Sequence, residues 1–285
     1  MCIRDSLGTG DMRLLQLMAN QGAVAIEKAR LHDKELQMKV LEKELAVGQE
    51  IQLSLLPAAP PDLPGWDLAA YYRPAREVGG DFYDLFRLPS NPDHLGIVIA
   101  DVTGKGVPAA LFMARTCAMI RTAAVQGQGP AHTLNQANAL VADHRRSPML
   151  VTALYADLDV HTGHVVYANA GHMRPLWYRA GSGVVEELPA AGIILGAFDQ
   201  IDLKEATIDV AQGDLLLFYT DGVTDAMNTR RELFDEERLA RIVAAAAAEG
   251  DSAGSVIDAV VSAVRAFGNG TPQADDLTLF AIKRT

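Results

Sequence analysis

Four Asp-bearing motifs, widely separated along the chain, constrain it most: Gly79-Gly80-Asp81-Phe82-Tyr83-Asp84, Ala100-Asp101-Val102-Thr103-Gly104-Lys105-Gly106, Tyr219-Thr220-Asp221-Gly222-Val223-Thr224-Asp225 and Asp275-Asp276-Leu277-Thr278. At least three of these acids stand where an apolar, strand-like run stops, as in Ile97-Val98-Ile99-Ala100-Asp101 and Leu215-Leu216-Leu217-Phe218-Tyr219-Thr220-Asp221. A carboxylate at a strand end is held rigidly, with its head at the edge of the core. Several such groups converging on one point repel strongly unless a cation lies between them, because unpaired buried charge is costly. A pair of hard divalent ions meets that need, and an all-oxygen ligand set without Cys or His favours Mg2+ or Mn2+ over Zn2+. A single Asp-Gly is an ordinary turn signal; four strand-end sites of one chemical kind are not explained that way.

The chain has 285 residues, 49% of them hydrophobic, enough for one large core or two modest ones. Its 25 basic and 36 acidic side chains leave a net charge of −11, and no Lys/Arg stripe forms, which argues against nucleic acid or anionic membrane as partners. Cys2 and Cys117 offer no metal-ligand spacing and suit a reducing compartment. Every apolar run is interrupted well short of the roughly 18 residues a membrane span needs, so a cytoplasmic location is expected. Residues 1–10 show neither a signal-peptide core nor a helical pattern and read as a disordered or non-native leader.

Residues 11–56 contain no Pro and read as one long helix or two joined end to end. Leu17, Val24, Leu31, Met38 and Leu45 recur every seven residues, the spacing of one coiled-coil core position. The companion positions Asn20, Glu27, Lys34, Leu41, Gly48 and Leu55 are apolar only toward the end, so the seam is imperfect. The stripe serves either a homodimer or a helix lying on its own domain. A helix of about 45 residues extends about 65 Å, longer than a small domain is wide, and self-association buries the stripe more easily. Gly48 costs about 1 kcal/mol relative to Ala inside a helix and marks a weak point.

Pro57 stops this helix, and 57–65 is a stiff Pro-rich linker. Residues 66–285 form the remaining domain. Strand-like runs fall at 66–72, 81–88, 94–100, 150–157, 164–170, 176–178, 214–220 and 277–283, with hairpin-length gaps that argue for antiparallel sheet. Helical patterns fall at 107–124, 130–143, 234–248 and 252–267. The fold class expected is α+β.

The Asp motifs resemble, in identity, order and spacing, those of the PPM superfamily of metal-dependent serine/threonine protein phosphatases, specifically the bacterial SpoIIE/RsbU-type branch; the likeness runs from about Glu50 to the C-terminus. It implies two stacked, mainly antiparallel sheets flanked by helices (αββα) behind the long N-terminal helix. It implies Asp101 as the ligand bridging two Mn2+ or Mg2+ ions, with the Val102 carbonyl completing one shell. Asp81, Asp221 and Asp275 match the remaining ligands. Asp276 is the alternative to Asp275, and Asp225 matches a third, looser ion of some relatives. Arg76 falls where some relatives grip phosphate, and His172, in Asn169-Ala170-Gly171-His172, resembles a loop of this branch with a structural or substrate-facing role. Where eukaryotic members carry a His two residues after the bridging Asp, this chain has Thr103. The implied chemistry is in-line attack of a metal-activated water on phosphorus, without a phosphoenzyme.

Residues 14–31 also resemble the last helix of a GAF sensory domain, which implies an upstream sensor and a chain that is part of a longer protein. By family analogy the substrate is a phosphoserine or phosphothreonine on a STAS-type anti-sigma-factor antagonist. Two other readings stand beside this one: a catalytically inactive scaffold of the same fold, and a binuclear hydrolase of small phosphoesters.

Overall fold

The computed structural model describes residues 9–142, 149–189, 191–250 and 252–285; most of the expected leader lies outside them. The first element is the helix α1 (Thr9–Leu55). The chain divides into two units between Gly48 and Gln49, so the last turns of α1 belong with the second unit. In the first unit Leu17, Val24, Leu31 and Met38 are all exposed, between 52% and 69% of their surface, and the single chain leaves the heptad stripe unburied.

In the second unit the order is β1 (Trp66–Arg73), β2 (Phe82–Leu88), β3 (Asn91–Val102), α2 (Val107–Ala124), α3 (Pro130–Ala142), β4 (Val151–Asp159), β5 (His164–Ala170), β6 (Leu176–Arg179), β7 (Val184–Glu187), β8 (Glu205–Asp209), β9 (Leu215–Tyr219), α4 (Asp221–Thr224), α5 (Glu236–Ala248), α6 (Ala253–Gly268) and β10 (Leu277–Arg284). Two five-stranded antiparallel sheets result, one ordered β1-β10-β9-β6-β7 and the other β2-β3-β4-β5-β8.

Alternation along the strands builds the layers. Leu216 and Phe218 of β9, with Phe280 and Ile282 of β10, join one core with β2 to β5, α2 and α3. Leu215, Leu217 and Tyr219 of β9, with Leu279 and Ala281 of β10, point the other way into a second core with α5 and α6. Helices therefore cover both outer faces of a sheet sandwich, the αββα arrangement expected.

β7 and β8, which strand-like runs did not indicate, are edge strands with mostly exposed side chains. α6 starts where its cap allows: Ser252 Oγ accepts from Ser255 N at 3.1 Å, and Asn269 ends it in the left-handed conformation. These layers leave one end of the sandwich where the start of β2, the end of β3, the end of β9 and the start of β10 come together.

Candidate metal centre

Each acid arrives at that end on a different element. Asp81 immediately precedes β2, Asp101 is the penultimate residue of β3, Asp221 opens α4 directly after β9, and Asp275 and Asp276 lead into β10. The two sheets thus contribute carboxylates to one place. Asp101 is held in register by Thr152 on β4.

Asp81 is buried, and its Oδ2 accepts hydrogen bonds from Thr220 Oγ1 at 2.6 Å and Thr278 Oγ1 at 2.8 Å. These two threonines are themselves tied across β9 and β10: Thr220 N donates to the Thr278 carbonyl at 3.1 Å and Thr278 N to Thr220 Oγ1 at 3.2 Å. A Thr pair on one sheet therefore fixes a carboxylate that leads into the other.

Asp276 performs a different task. Its carboxylate accepts from Ala75 N at 2.7 Å, Gly80 N at 2.7 Å and Asp81 N at 3.3 Å, so it clamps the loop that carries Asp81. Three backbone donors satisfy a buried carboxylate well. Gln52, in the last turn of α1, holds the same loop from the other side: its Nε2 donates to the Gly79 carbonyl at 2.6 Å, and Gly79 N donates to its Oε1 at 3.1 Å. Gly222 has no room for a side chain, because a Cβ there would stand 1.9 Å from the Asp276 carbonyl oxygen. This close approach brings α4, and with it Asp221, against the 275–276 backbone.

The electrostatics are those of unneutralised acids. Burial raises the Asp81 carboxyl well above its usual range, the charges of Asp101 and Asp276 add to the rise, and the two Thr hydroxyls oppose it. Asp101 is pushed from 3.8 to about 6 by burial, then by Asp221, with Asp275 and Asp276 contributing and a hydrogen bond with Asp81 working against them. Asp221 is raised by burial and by Asp275 and Asp225; Asp225 is raised by burial, Glu236 and Asp275. The six predicted acids are therefore near enough to perturb one another in this mutual pattern.

Among the described residues, the cation in direct contact is Lys105. Its Nζ lies 2.7 Å from Asp275 Oδ2 and 2.6 Å from the Ala274 carbonyl, reaching there from the Gly104-Lys105-Gly106 turn, whose glycines take φ of 97° and 76°. As the side chains stand, no three Asp, Glu, His or Cys groups among the described residues close on a common point. The donor set nevertheless fits hard cations: it is all oxygen and strongly anionic, and where Lys105 reaches it, a positive charge already sits against Asp275.

The other predicted residues are placed as follows. The Val102 carbonyl oxygen lies over Gly80, where a Cβ would be 2.8 Å away. Thr103 Oγ1 accepts from Leu150 N at 2.9 Å and helps hold β3 to the start of β4. Arg76 is exposed and makes no hydrogen bond or ion pair among the described residues. His172 is buried, with Nδ1 2.8 Å from Thr152 Oγ1; it reaches the site through the residue paired with Asp101. Burial lowers its imidazole to about 4, so it is neutral, while the Tyr219 backbone acts in the opposite sense. Asp84 pairs with Arg121 at 2.8 Å, away from the acid cluster's contacts. Burial pushes the Cys117 thiol up to about 12, which leaves it no thiolate for nucleophilic chemistry. Thr220, Thr278, Gln52 and Lys105 are the contributors the sequence alone did not single out.

Comparison with known proteins gives the family and the fold. The chain belongs to the SpoIIE family: the family described as Stage II sporulation protein E (SpoIIE) matches residues 91–285. It is 31% identical over 268 residues to Protein IcfG of Synechocystis sp. (strain ATCC 27184 / PCC 6803 / Kazusa), covering 85% of this chain and 41% of that protein. It is 28% identical over 212 residues to phosphoserine phosphatase RsbU of Bacillus subtilis (strain 168), covering 74% of this chain and 62% of RsbU. The chain thus spans about half the length of these relatives. The SiaA-PP2C domain of Pseudomonas aeruginosa superposes with a TM-score of 0.75 at 23% identity, over 86% of this chain and 98% of that domain, which establishes the PP2C fold.

Proposed function

We propose that this protein is a Mn2+- or Mg2+-dependent protein serine/threonine phosphatase that hydrolyses phosphoserine or phosphothreonine on a regulatory protein. The observation that carries this reading is the set of carboxylates delivered from both sheets to one end of the sandwich, among which Asp81, Asp101 and Asp221 are held above their usual range by burial and by neighbouring acids. RsbU, a phosphoserine phosphatase by name, supports the substrate class. A STAS-type anti-sigma-factor antagonist is the substrate we propose, in the cytoplasm. Among the described residues no helix is long and apolar enough to cross a membrane.

In this reading Asp101, Asp81, Asp221 and Asp275, with the Val102 carbonyl, would hold the two ions, with Asp101 shared between them, and Asp225 would hold a looser third. Asp276 keeps its backbone partners and acts as the positioning residue for Asp81. When bound, such a pair of ions supplies an activated water near neutral pH and offsets charge on the phosphoryl oxygens. The Thr220–Thr278 pair holds Asp81 with one face fixed, so reorganisation on binding is small. Asp275, which Lys105 contacts at 2.7 Å, would hold a metal in place of that ammonium, and Lys105 would then be free to face an incoming phosphate. The exposed heptad stripe of α1 supports a homodimer joined through that helix, with a sensor upstream.

The Lys105–Asp275 contact also supports the inactive-scaffold alternative, in which a lysine permanently replaces the metal. Phosphate release from a phosphoserine protein, a phosphothreonine protein and a nucleotide panel, each with Mn2+, separates the readings. Turnover of the phosphoproteins alone is the result expected. Preference for nucleotides would favour the small-phosphoester hydrolase, and silence on every substrate would favour the scaffold.

A further inference from the structure

Behind the acid cluster a row of hydroxyls crosses three adjacent strands, and the last of them has no partner. Tyr72 of β1 lies opposite Thr278 of β10, and Thr278 is tied to Thr220 at the end of β9. Residues that face each other across paired strands project to the same side of the sheet. Thr220 and Thr278 direct their hydroxyls to Asp81 Oδ2. Tyr72 Oη is buried and makes no hydrogen bond among the described residues. A buried hydroxyl left unpaired is unfavourable, and native structures keep few of them.

The position of Tyr72 Oη says what it can reach. A Cβ on Gly79 would stand 2.6 Å from Tyr72 Oη and nearer still to Asp276 Oδ2, so the hydroxyl and that carboxylate oxygen converge on one point of the 75–81 loop. Burial, then the charges of Asp276 and Asp81, raise the Tyr72 phenol above its ordinary value, so it stays protonated and able to donate. The preceding Tyr71 belongs to the other face of β1, where Arg265 Nη2 donates to its Oη at 2.8 Å. Asp276 accepts from the N–H groups of Ala75, Gly80 and Asp81, so its carboxylate is bound to the loop that carries Asp81. As the side chains stand, the acids among the described residues do not close on a common point. Holding a pair of ions therefore requires some of them to shift, and a shift of the 75–81 loop moves the Asp276 carboxylate beside a donor that is still uncommitted.

We propose that Tyr72 is a positioning residue of the metal centre, whose hydroxyl donates to the Asp276 carboxylate when the 75–81 loop adjusts to bring Asp81 onto the ions. The inference rests on the metal centre of the phosphatase reading and adds to it a residue outside all four Asp motifs. The hydrogen bond belongs to the ion-bound arrangement, so its effect falls on ion affinity and not on the stability of the ion-free fold.

Tyr72→Phe removes the hydroxyl and keeps the ring. Calorimetric titration of the purified protein with Mn2+ should show about threefold to tenfold weaker binding in this variant, the effect of one hydrogen bond. Its melting temperature in EDTA should equal or exceed that of wild type, because the ion-free fold loses only an unpartnered group. Tyr71→Phe, which removes the hydroxyl on the opposite face, should keep the wild-type Mn2+ affinity. Unchanged affinity in Tyr72→Phe would overturn the proposal, and equal weakening in Tyr71→Phe would do so too by making the effect a general one of β1. A lower melting temperature of Tyr72→Phe in EDTA would also overturn it, since the hydroxyl would then already be used in the ion-free fold. A wild type that binds no Mn2+ would instead overturn the metal centre beneath it.

Discussion

Replacing Asp101 by Asn should make the metal-free protein more stable while removing its response to Mn2+. Asp101 has its carboxyl raised from 3.8 to about 6 in the folded state, by burial first and then by Asp221. A raised folded value means that the native state holds its proton more tightly than the unfolded chain does. Stability from this group is therefore present at low pH and is lost as pH rises from about 4 to above about 6. The full shift corresponds to about 3 kcal/mol at 1.36 kcal/mol per unit. Asp101 is partly exposed and shares its titration with its neighbours, so about 1 to 2 kcal/mol is the expected gain for a neutral isostere at pH 7.5. At roughly 2 to 4 °C per kcal/mol for a domain of this size, the melting temperature in EDTA should rise by about 2 to 8 °C. Thermal denaturation followed by intrinsic fluorescence, in EDTA and then in Mn2+, reads both effects. In wild type Mn2+ should raise the midpoint, because a ligand bound only by the native state stabilises it, and in Asp101→Asn this rise should be lost. The variant's advantage in EDTA should also shrink at pH 5. An Asn variant that melts below wild type in EDTA at pH 7.5, or keeps its full Mn2+ shift, would refute the repulsion argument.

Thr278→Val removes one of the two hydroxyls that hold Asp81; a loss of about 1 to 3 kcal/mol is expected, with weaker Mn2+ binding by calorimetry, and unchanged values of both would show that the Thr pair does not position the acid. Burial lowers the His172 imidazole to about 4, so on acidification the unfolded chain takes up a proton at this residue first, and stability should fall by up to about 3 kcal/mol as pH drops from about 6.5 to about 4. The stability difference between wild type and His172→Gln should follow that window, since the carboxylates titrate in both proteins; a flat difference would contradict the buried neutral imidazole. Leu31→Glu combined with Met38→Glu places like charges along the exposed α1 stripe and should yield a monomer. Sedimentation with an unaltered molecular mass, or a wild-type monomer at micromolar concentration, would remove the dimer seam.

The elements that bury apolar faces were legible. The pattern at 107–124 is α2 to the residue, and β5 coincides with its strand-like run, because both elements pack on the core and their periodicity records it. β7 and β8 left no such record: as edge strands with patterns such as Glu205 exposed and Ala206 half-buried, they are held by neighbours' backbone groups. The acids were legible as a chemical set because at least three of them border an apolar run. Their division of labour was not. Asp275 and Asp276 are adjacent in sequence, yet one faces Lys105 and the other accepts from Ala75, Gly80 and Asp81, partners nearly 200 positions away in the chain. Only tertiary contact distinguishes them. Thr220 and Thr278 read as ordinary strand threonines until β9 and β10 pair.

The most direct test of the account is turnover of an aryl phosphate by the purified protein across Mn2+, Mg2+, Ca2+ and EDTA, with Asp101→Asn and Asp221→Asn alongside. The account predicts turnover with Mn2+ or Mg2+, none in EDTA, recovery when Mn2+ is restored, and none from either folded variant. Turnover that persists in EDTA, or that either Asn variant retains, would contradict a catalytic metal centre built on these carboxylates.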